Sequence, residues 1–347
     1  MEHGKRNILV LSDGKAGHLK QSLAVSECIP ESHTQIIEVA YKHFWSRYLL
    51  SLGIFLPFLE RFYPLLLRWA LKKKSYQALC KSAVILSTGS SLGHLNLLLS
   101  RLYEAKSVVI MTPPIGAQRE YTLRIIPQHD HPTLYPNTLI TLASPTSITP
   151  HSIVKHGVAL KKFLGISTTS AISIFIGGNT PKQQMANTTL ITFIEKIRAF
   201  CSAEQKSLLI TTSRRTSSKI IFFLKKELSS FCKLLVISSE KDQAVDTSDH
   251  LIEGMMGLSD LIFVTNDSLS MISEAASSGK KVIVLQTLHR TTSPTKHEQM
   301  IKTLEQHKYI YCASPDTLKS IIQKARCEST PVLNEREIIS STLRAIL

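Results

Sequence analysis

Residues 12–18 read Ser-Asp-Gly-Lys-Ala-Gly-His. Asp13, Lys15 and His18 thus place a carboxylate, an ammonium and an imidazole within six residues, with Gly14 and Gly17 between them. A neutral imidazole can take a proton from a hydroxyl near pH 7, and a nearby carboxylate can orient it. Asp13 and His18 are therefore the candidate catalytic pair. Three other loops have similar chemistry. Residues 88–94 contain Gly89 and Ser90, residues 177–180 read Gly177-Gly178-Asn179-Thr180, and residues 265–268 read Thr265-Asn266-Asp267-Ser268. All four follow a short apolar run and precede a helical pattern. A helix start offers unpaired N–H groups and partial positive charge, which suits phosphate, and glycine lets the backbone come close. None matches a named nucleotide fingerprint, and Gly14-x-x-Gly17 lacks the G-x-G-x-x-G frame and the Walker lysine.

The stretch TNDSLSMISEAASSGKKVIVL is the richest in signals. Asp267, Ser270 and Glu274 are three and seven apart and share one helical face. Glu274 has no lysine or arginine at i−4 or i+4. A carboxylate there can accept two hydrogen bonds from a ribose diol or stand solvated on the helix. Arg214-Arg215 can clamp a diphosphate or face solvent at a helix start, and the same two readings apply to Lys296 and His297. His129-Asp130 reads as a cap or turn before it reads as an acid/base pair. No D-x-D triplet occurs, and no His, Cys and Asp cluster has metal-ligand spacing, so no metal and no cofactor is expected.

These residues need a frame. Apolar runs at 7–11, 34–39, 83–86, 107–111, 122–126 and 138–142 alternate with helical patterns, which predicts a parallel sheet covered on both faces. A Pro-, Ser- and Thr-rich stretch at 143–170 follows, and the alternation restarts with runs at 172–176, 208–212, 234–237, 261–264 and 281–285. At 347 residues the chain has room for two domains. We expect residues 1–150 to form an N-terminal acceptor-side domain with an apolar helical insert at 44–72. Residues 165–347 form a C-terminal nucleotide-binding domain, whose last helix is a candidate to pack back on the first. Two such sheets imply a ligand cleft between them.

With 41 Lys+Arg against 26 Asp+Glu, the net charge of +15 favours phosphate-bearing ligands or anionic surfaces. Aromatic content of 7% and scattered basic residues argue against a nucleic-acid platform. Six cysteines without a C-x-x-C pair read as reduced thiols in a cytoplasmic protein. The four-residue apolar run at 8–11 is too short for a signal peptide. Residues 48–71 are apolar, but Glu60, Arg61, Pro57 and Pro64 interrupt them, which predicts short helices rather than a membrane span. Their excess apolar surface is either core or an interfacial patch, with Trp45, Tyr48, Tyr63 and Trp69 at headgroup depth and Lys72-Lys73-Lys74 near anionic lipid.

SDGKAGHLKQSLAV, IIPQHDHP, TTSRRT and VTNDSLSMISEAASSGKKV resemble, in order and spacing, the motifs of the mitochondrial-fission "elongated mitochondria" family, over nearly the whole chain. The resemblance implies the GT-B fold of nucleotide-sugar glycosyltransferases, an α/β architecture of two Rossmann-like parallel-sheet domains. More distantly, Ala16-Gly17-His18, the Gly89–Gly93 loop and the octet Asp267 to Glu274 look similar to motifs of the glycosyltransferase that adds N-acetylglucosamine to the peptidoglycan lipid intermediate. In the octet Ser268, Leu269 and Met271 replace that enzyme's glycine, alanine and threonine. This likeness implies a nucleotide-diphospho-sugar donor as substrate. Gly177, Gly178, Asn179, Arg214, Asp267, Ser268 and Ser270 would lie at its diphosphate side and Glu274 at its ribose. Gly14, Lys15, Gly17, Gly89 and Ser90 would be acceptor-side. The function expected is a metal-independent glycosyltransferase with a membrane-associated acceptor, placed peripherally on the inner face of the membrane. A non-catalytic scaffold of the same fold and a nucleotide-sugar epimerase are the alternatives.

Overall fold

The computed structural model describes residues 6–166, 171–179, 184–239, 250–288 and 295–347. Thr180 lies outside them. The chain divides into two compact units, Met1–Ser147 with Glu335–Leu347, and Ile148–Asn334.

The first unit runs β1 (Arg6–Ser12), α1 (Ala16–Ser26), β2 (Ser32–Glu38), α2 (Ser46–Phe55), a 3-10 turn at Pro57–Phe62, α3 (Tyr63–Ala70), α4 (Lys73–Gln77), β3 (Val84–Thr88), α5 (Gly93–Tyr103), β4 (Lys106–Ile110), β5 (Leu123–Pro127) and β6 (Thr138–Thr141). Its six strands are parallel, in the order β2-β1-β3-β4-β5-β6. Side chains alternate across a strand. Ile8 and Val10 join one core with Val25 and Ile29, while Leu9 and Leu11 join another with Leu50, Ile54, Tyr63 and Leu67. Residues 48–71 therefore satisfy the core reading on one face only. On the other face Trp45, Tyr48, Leu52, Phe58, Leu65 and Trp69 are exposed. Among the described residues no helix is long and apolar enough to cross a membrane.

The second unit runs α6 (Pro150–Leu164), β7 (Ala171–Ile176), α7 (Asn187–Ala203), β8 (Ser207–Thr212), α8 (Ser218–Leu228), β9 (Leu234–Val236), α9 (Leu251–Leu258), β10 (Ser259–Thr265), α10 (Leu269–Ser277), β11 (Lys281–Leu285), α11 (Lys296–Gln306), β12 (Tyr311–Ala313) and α12 (Leu318–Cys327). Its parallel sheet has the order β12-β11-β10-β7-β8-β9. The apolar pattern does not reveal β12, whose three residues are too few to show a period. The Pro- and Ser-rich stretch expected to link the domains contributes α6, which packs on α9 inside this unit. All six cysteines are unbridged.

The last helix, α13 (Glu335–Ile346), belongs to the first unit. Ile339 and Leu343 enter its core, and Glu335 Oε1 accepts from the backbone N–H of Leu142 at 2.6 Å and of Ala143 at 3.4 Å. Burial raises the Glu335 carboxyl above its usual 4.5, against the opposing pull of those two N–H groups. The folded state then holds a proton that the unfolded chain has released. This contribution to stability is full below 4.5 and is lost as pH rises through the folded value. Glu335→Gln keeps the carbonyl acceptor and removes the titration. Its urea midpoint, relative to wild type, is expected to improve between about pH 4.5 and pH 8. Parallel midpoints across that range would refute the assignment.

Candidate functional site

In open α/β sheets ligands gather at the carboxyl ends of strands where the strand order reverses. In the first unit that point lies between β1 and β3, so the loops after them meet there. The Asp13 carboxylate is the hub. Its Oδ2 accepts from Ser91 Oγ at 3.1 Å, pairs with His18 Nδ1 at 3.0 Å and with Lys15 Nζ at 3.0 Å. Burial pushes the Asp13 carboxyl up, but the Lys15 hydrogen bond and the His18 charge outweigh it and leave it below the ordinary 3.8. Asp13 is thus ionised at neutral pH and accepts only, so Nδ1 of His18 must carry the hydrogen. Nε2 is the nitrogen left for a ligand.

Gly89 leaves room for the other side of the ring. Its φ is +81°, and a Cβ there would lie 3.0 Å from His18 Cε1. Any side chain would both strain the backbone and push the imidazole. Ser90 is exposed beside it, Gly14 and Lys15 are exposed in the first loop, and Gly17 lies in the first turn of α1. Sequence reasoning passes over Ser91, the residue of the second loop that reaches Asp13, because only the strand order shows which loops are neighbours.

In the second unit the reversal lies between β7 and β10. There the structure turns several expected ligand-facing groups inward. The Asp267 side chain is 0% exposed. Its Oδ2 accepts from Gly178 N–H at 2.7 Å, and its Oδ1 accepts from Thr265 Oγ1 at 2.6 Å. Thr265 Oγ1 in turn accepts from Gly177 N–H at 2.8 Å. Both glycine amides are engaged, and these residues lace the ends of the two strands together. Asn179 is exposed but tied into the same loop. Its N–H donates to Arg215 O at 3.1 Å and its Oδ1 accepts from Met185 N–H at 2.9 Å. Burial raises the Asp267 carboxyl, with Thr265, Gly178 and Arg215 pulling the other way.

The surface of this point is made by other groups. Arg215, half exposed, stands 3.9 Å from Asp267, and Arg214 is exposed beside it. Ser268 begins α10 without capping it through its side chain; Ser270 and Glu274 are half-buried on that helix, one turn apart. A cavity of about 390 Å³ opens at the ends of β10, β11 and β12, lined by Asn266, Gln286, His297, Lys302, Glu305 and Ser314 among others, and by none of these α10 or arginine side chains. Burial lowers the His297 imidazole, and the Asp267, Arg215 and Glu298 charges all reach it. Asn266 Oδ1 accepts from the N–H groups of Thr287 and Leu288 at 3.0 and 3.2 Å, which fixes the cavity floor.

Two Rossmann-like units, each with its polar loops at the strand-order reversal, define a protein of GT-B-like fold. The UDP-GlcNAc 2-epimerase of Neisseria meningitidis, solved bound to UDP-GlcNAc, shares it at a TM-score of 0.54, with 12% identity over 99% of this chain and 100% of that one. The UDP-GlcNAc 2-epimerase of Methanocaldococcus jannaschii gives 0.56 and 10% over 99% of each chain. MurG of Acinetobacter baumannii gives 0.49 and 12% over 98% and 99%. The chain belongs to the mitochondrial fission ELM1 family, whose model matches residues 16–347. No curated protein matches it significantly in sequence.

Proposed function

We propose that the protein transfers a sugar from a nucleotide-diphospho-sugar to a hydroxyl acceptor held at a membrane surface. The observation that carries this reading is the Asp13–His18 pair, oriented as a base at the β1/β3 reversal of a GT-B-like chain. His18 Nε2 takes the acceptor proton as the acceptor oxygen bonds to the anomeric carbon. The bond from that carbon to the diphosphate breaks, and the nucleoside diphosphate leaves with the electron pair. Ser268, Ser270, Arg214 and Arg215 meet its charge, and Glu274 binds the ribose. Gly177, Gly178, Asn179 and Asp267 shape the loop behind them. No metal is assigned to this step, because the basic groups and the α10 start supply positive charge.

Titration calorimetry with UDP-, GDP- and ADP-sugars tests the donor. Glu274→Ala is expected to weaken the sugar nucleotide that binds by about 10–100-fold, the loss of one or two charge-assisted hydrogen bonds. Unchanged affinity would remove Glu274 from the site. Product analysis separates transfer from epimerisation, which releases an altered sugar without an acceptor. The engaged Gly177 and Gly178 amides favour a second reading, a scaffold that binds no donor, and an absence of binding to every sugar nucleotide would select it.

Support for the membrane-side acceptor comes from the exposed face of 44–69, where the Trp45 and Trp69 rings lie 4.7 Å apart among exposed Arg47, Arg61, Arg68 and Lys72. Sedimentation with anionic vesicles is expected to fall at least about tenfold in Trp45→Ser/Trp69→Ser, and to fall with salt in wild type. Equal sedimentation by both proteins would exclude this face as the contact.

A further inference from the structure

Away from the strand-end loops of the second unit, α6 and α9 carry a cluster that the transfer reaction does not use. His156 Nε2 lies 3.1 Å from Glu253 Oε2, and His250 Nδ1 lies 3.7 Å from the same oxygen. The two imidazoles are stacked, with centroids 4.0 Å apart and planes 4° from parallel. All three ligand atoms lie within 4.8 Å of one another.

We propose that His156, His250 and Glu253 bind a zinc-class divalent ion that clips α6 to the start of α9. The spacing is one that a bound ion can use as well as an ion pair. Zinc bonds to nitrogen and oxygen are about 2.0–2.2 Å, so neighbouring ligand atoms of a tetrahedral site stand about 3.2–3.6 Å apart. The two observed separations to Glu253 bracket that range. Because a metal lies in the plane of each imidazole that binds it, His250, whose side chain is 60% exposed, must rotate out of the ring stack to bring its nitrogen onto the ion. Without an ion, one carboxylate oxygen serves two imidazoles packed face to face, an arrangement that like charge on both rings would oppose. Two imidazoles and a carboxylate are also a donor set suited to zinc, with a fourth position open to water.

The scaffold holds the ligands at this spacing. A Cβ on Gly257 would lie 2.0 Å from Ile153 O, one on Gly157 2.9 Å from Gly257 Cα, and one on Gly254 3.0 Å from His156 O. The two helices therefore touch backbone to backbone, immediately beside His156 and Glu253. Such contact leaves the ligand-bearing positions little freedom, the condition a metal site needs. The ligands come from positions 94 and 97 residues apart in sequence, counting from His156 to His250 and to Glu253. That is why a search for metal-ligand spacing along the chain passes over them.

The test uses untagged full-length protein stripped with chelator, then titrated with Co²⁺ alone and back-titrated with Zn²⁺. One Co²⁺ per chain is expected, with visible ligand-field absorption that Zn²⁺ abolishes, and Zn²⁺ should raise the unfolding temperature. His250→Ala removes a ligand whose side chain is 60% exposed and which lies outside the backbone-to-backbone glycine contact, so the metal-free variant should stay folded, losing only the ring stack on His156. Its metal affinity is expected to fall at least about 100-fold, beyond the roughly 10–100-fold typical of an outer-shell loss. Glu253→Gln should fall likewise, and exposed His307→Ala should not change. No Co²⁺ absorption in wild type, or undiminished binding in His250→Ala, overturns the proposal and leaves the cluster an ion pair.

Discussion

His18→Ala is expected to lower sugar transfer by about 10²–10⁴-fold, the range contributed by a positioned general base. Affinity for the sugar nucleotide should stay within about twofold, because the proposed donor groups all belong to the second unit. The ring is oriented by the Asp13 carboxylate at Nδ1 and has room at Cε1 only because residue 89 is glycine, so the proposed role depends on position as much as on chemistry. Asp13→Asn tests this. An amide oxygen still accepts from Nδ1–H, but the charge that stabilises a protonated imidazole is gone. Its rate should fall while the fold is kept, since Asp13 is tied to exposed Lys15 and to Ser91 rather than to the core. Wild-type turnover in His18→Ala, measured with saturating donor and acceptor, would remove His18 from the chemistry.

Gly178→Ala is expected to cost more than about 4 kcal/mol, enough to unfold much of the second unit. The added Cβ would lie 2.1 Å from the carbonyl carbon and oxygen of Arg215. Those are backbone atoms just past the end of β8, and Asn179 N–H already donates to that same oxygen. No side chain can rotate aside, so relief requires β7 and β8 to part at their carboxyl ends. Gly165→Ala is the control. Gly165 has φ +58°, and a Cβ there would meet nothing within 4 Å. The cost is then only the left-handed strain of about 1–2 kcal/mol. Comparable urea midpoints for the two variants would show that the β7 loop tolerates an opening that its packing argues against.

The candidate loops are legible because each interrupts an apolar run with glycine or with small polar residues. His18, Glu274 and the Asp267 region can be found that way. Their orientation cannot. Asp267 has the residue type and place of a phosphate-facing cap, yet it points inward, because Gly177 leaves space for its carboxylate and the Gly178 N–H and the Thr265 hydroxyl donate to it. Residues 48–71 likewise show an apolar excess but not its division into a core face and an exposed face, which depends on how α2 and α3 lie against the sheet.

By itself, the sequence determined the alternation of strands and helices, the parallel α/β class and the set of polar strand-to-helix loops, since each rests on residues close together along the chain. Which loops become neighbours was decided only by tertiary structure. The order of strands brings the loop after β1 to the loop after β3, and the loop after β7 to the loop after β10. It is also only the packing of α6 on α9 that gathers His156, His250 and Glu253. Contacts between residues tens of positions apart depend on chain topology and close backbone packing, and no local pattern of residue types encodes either.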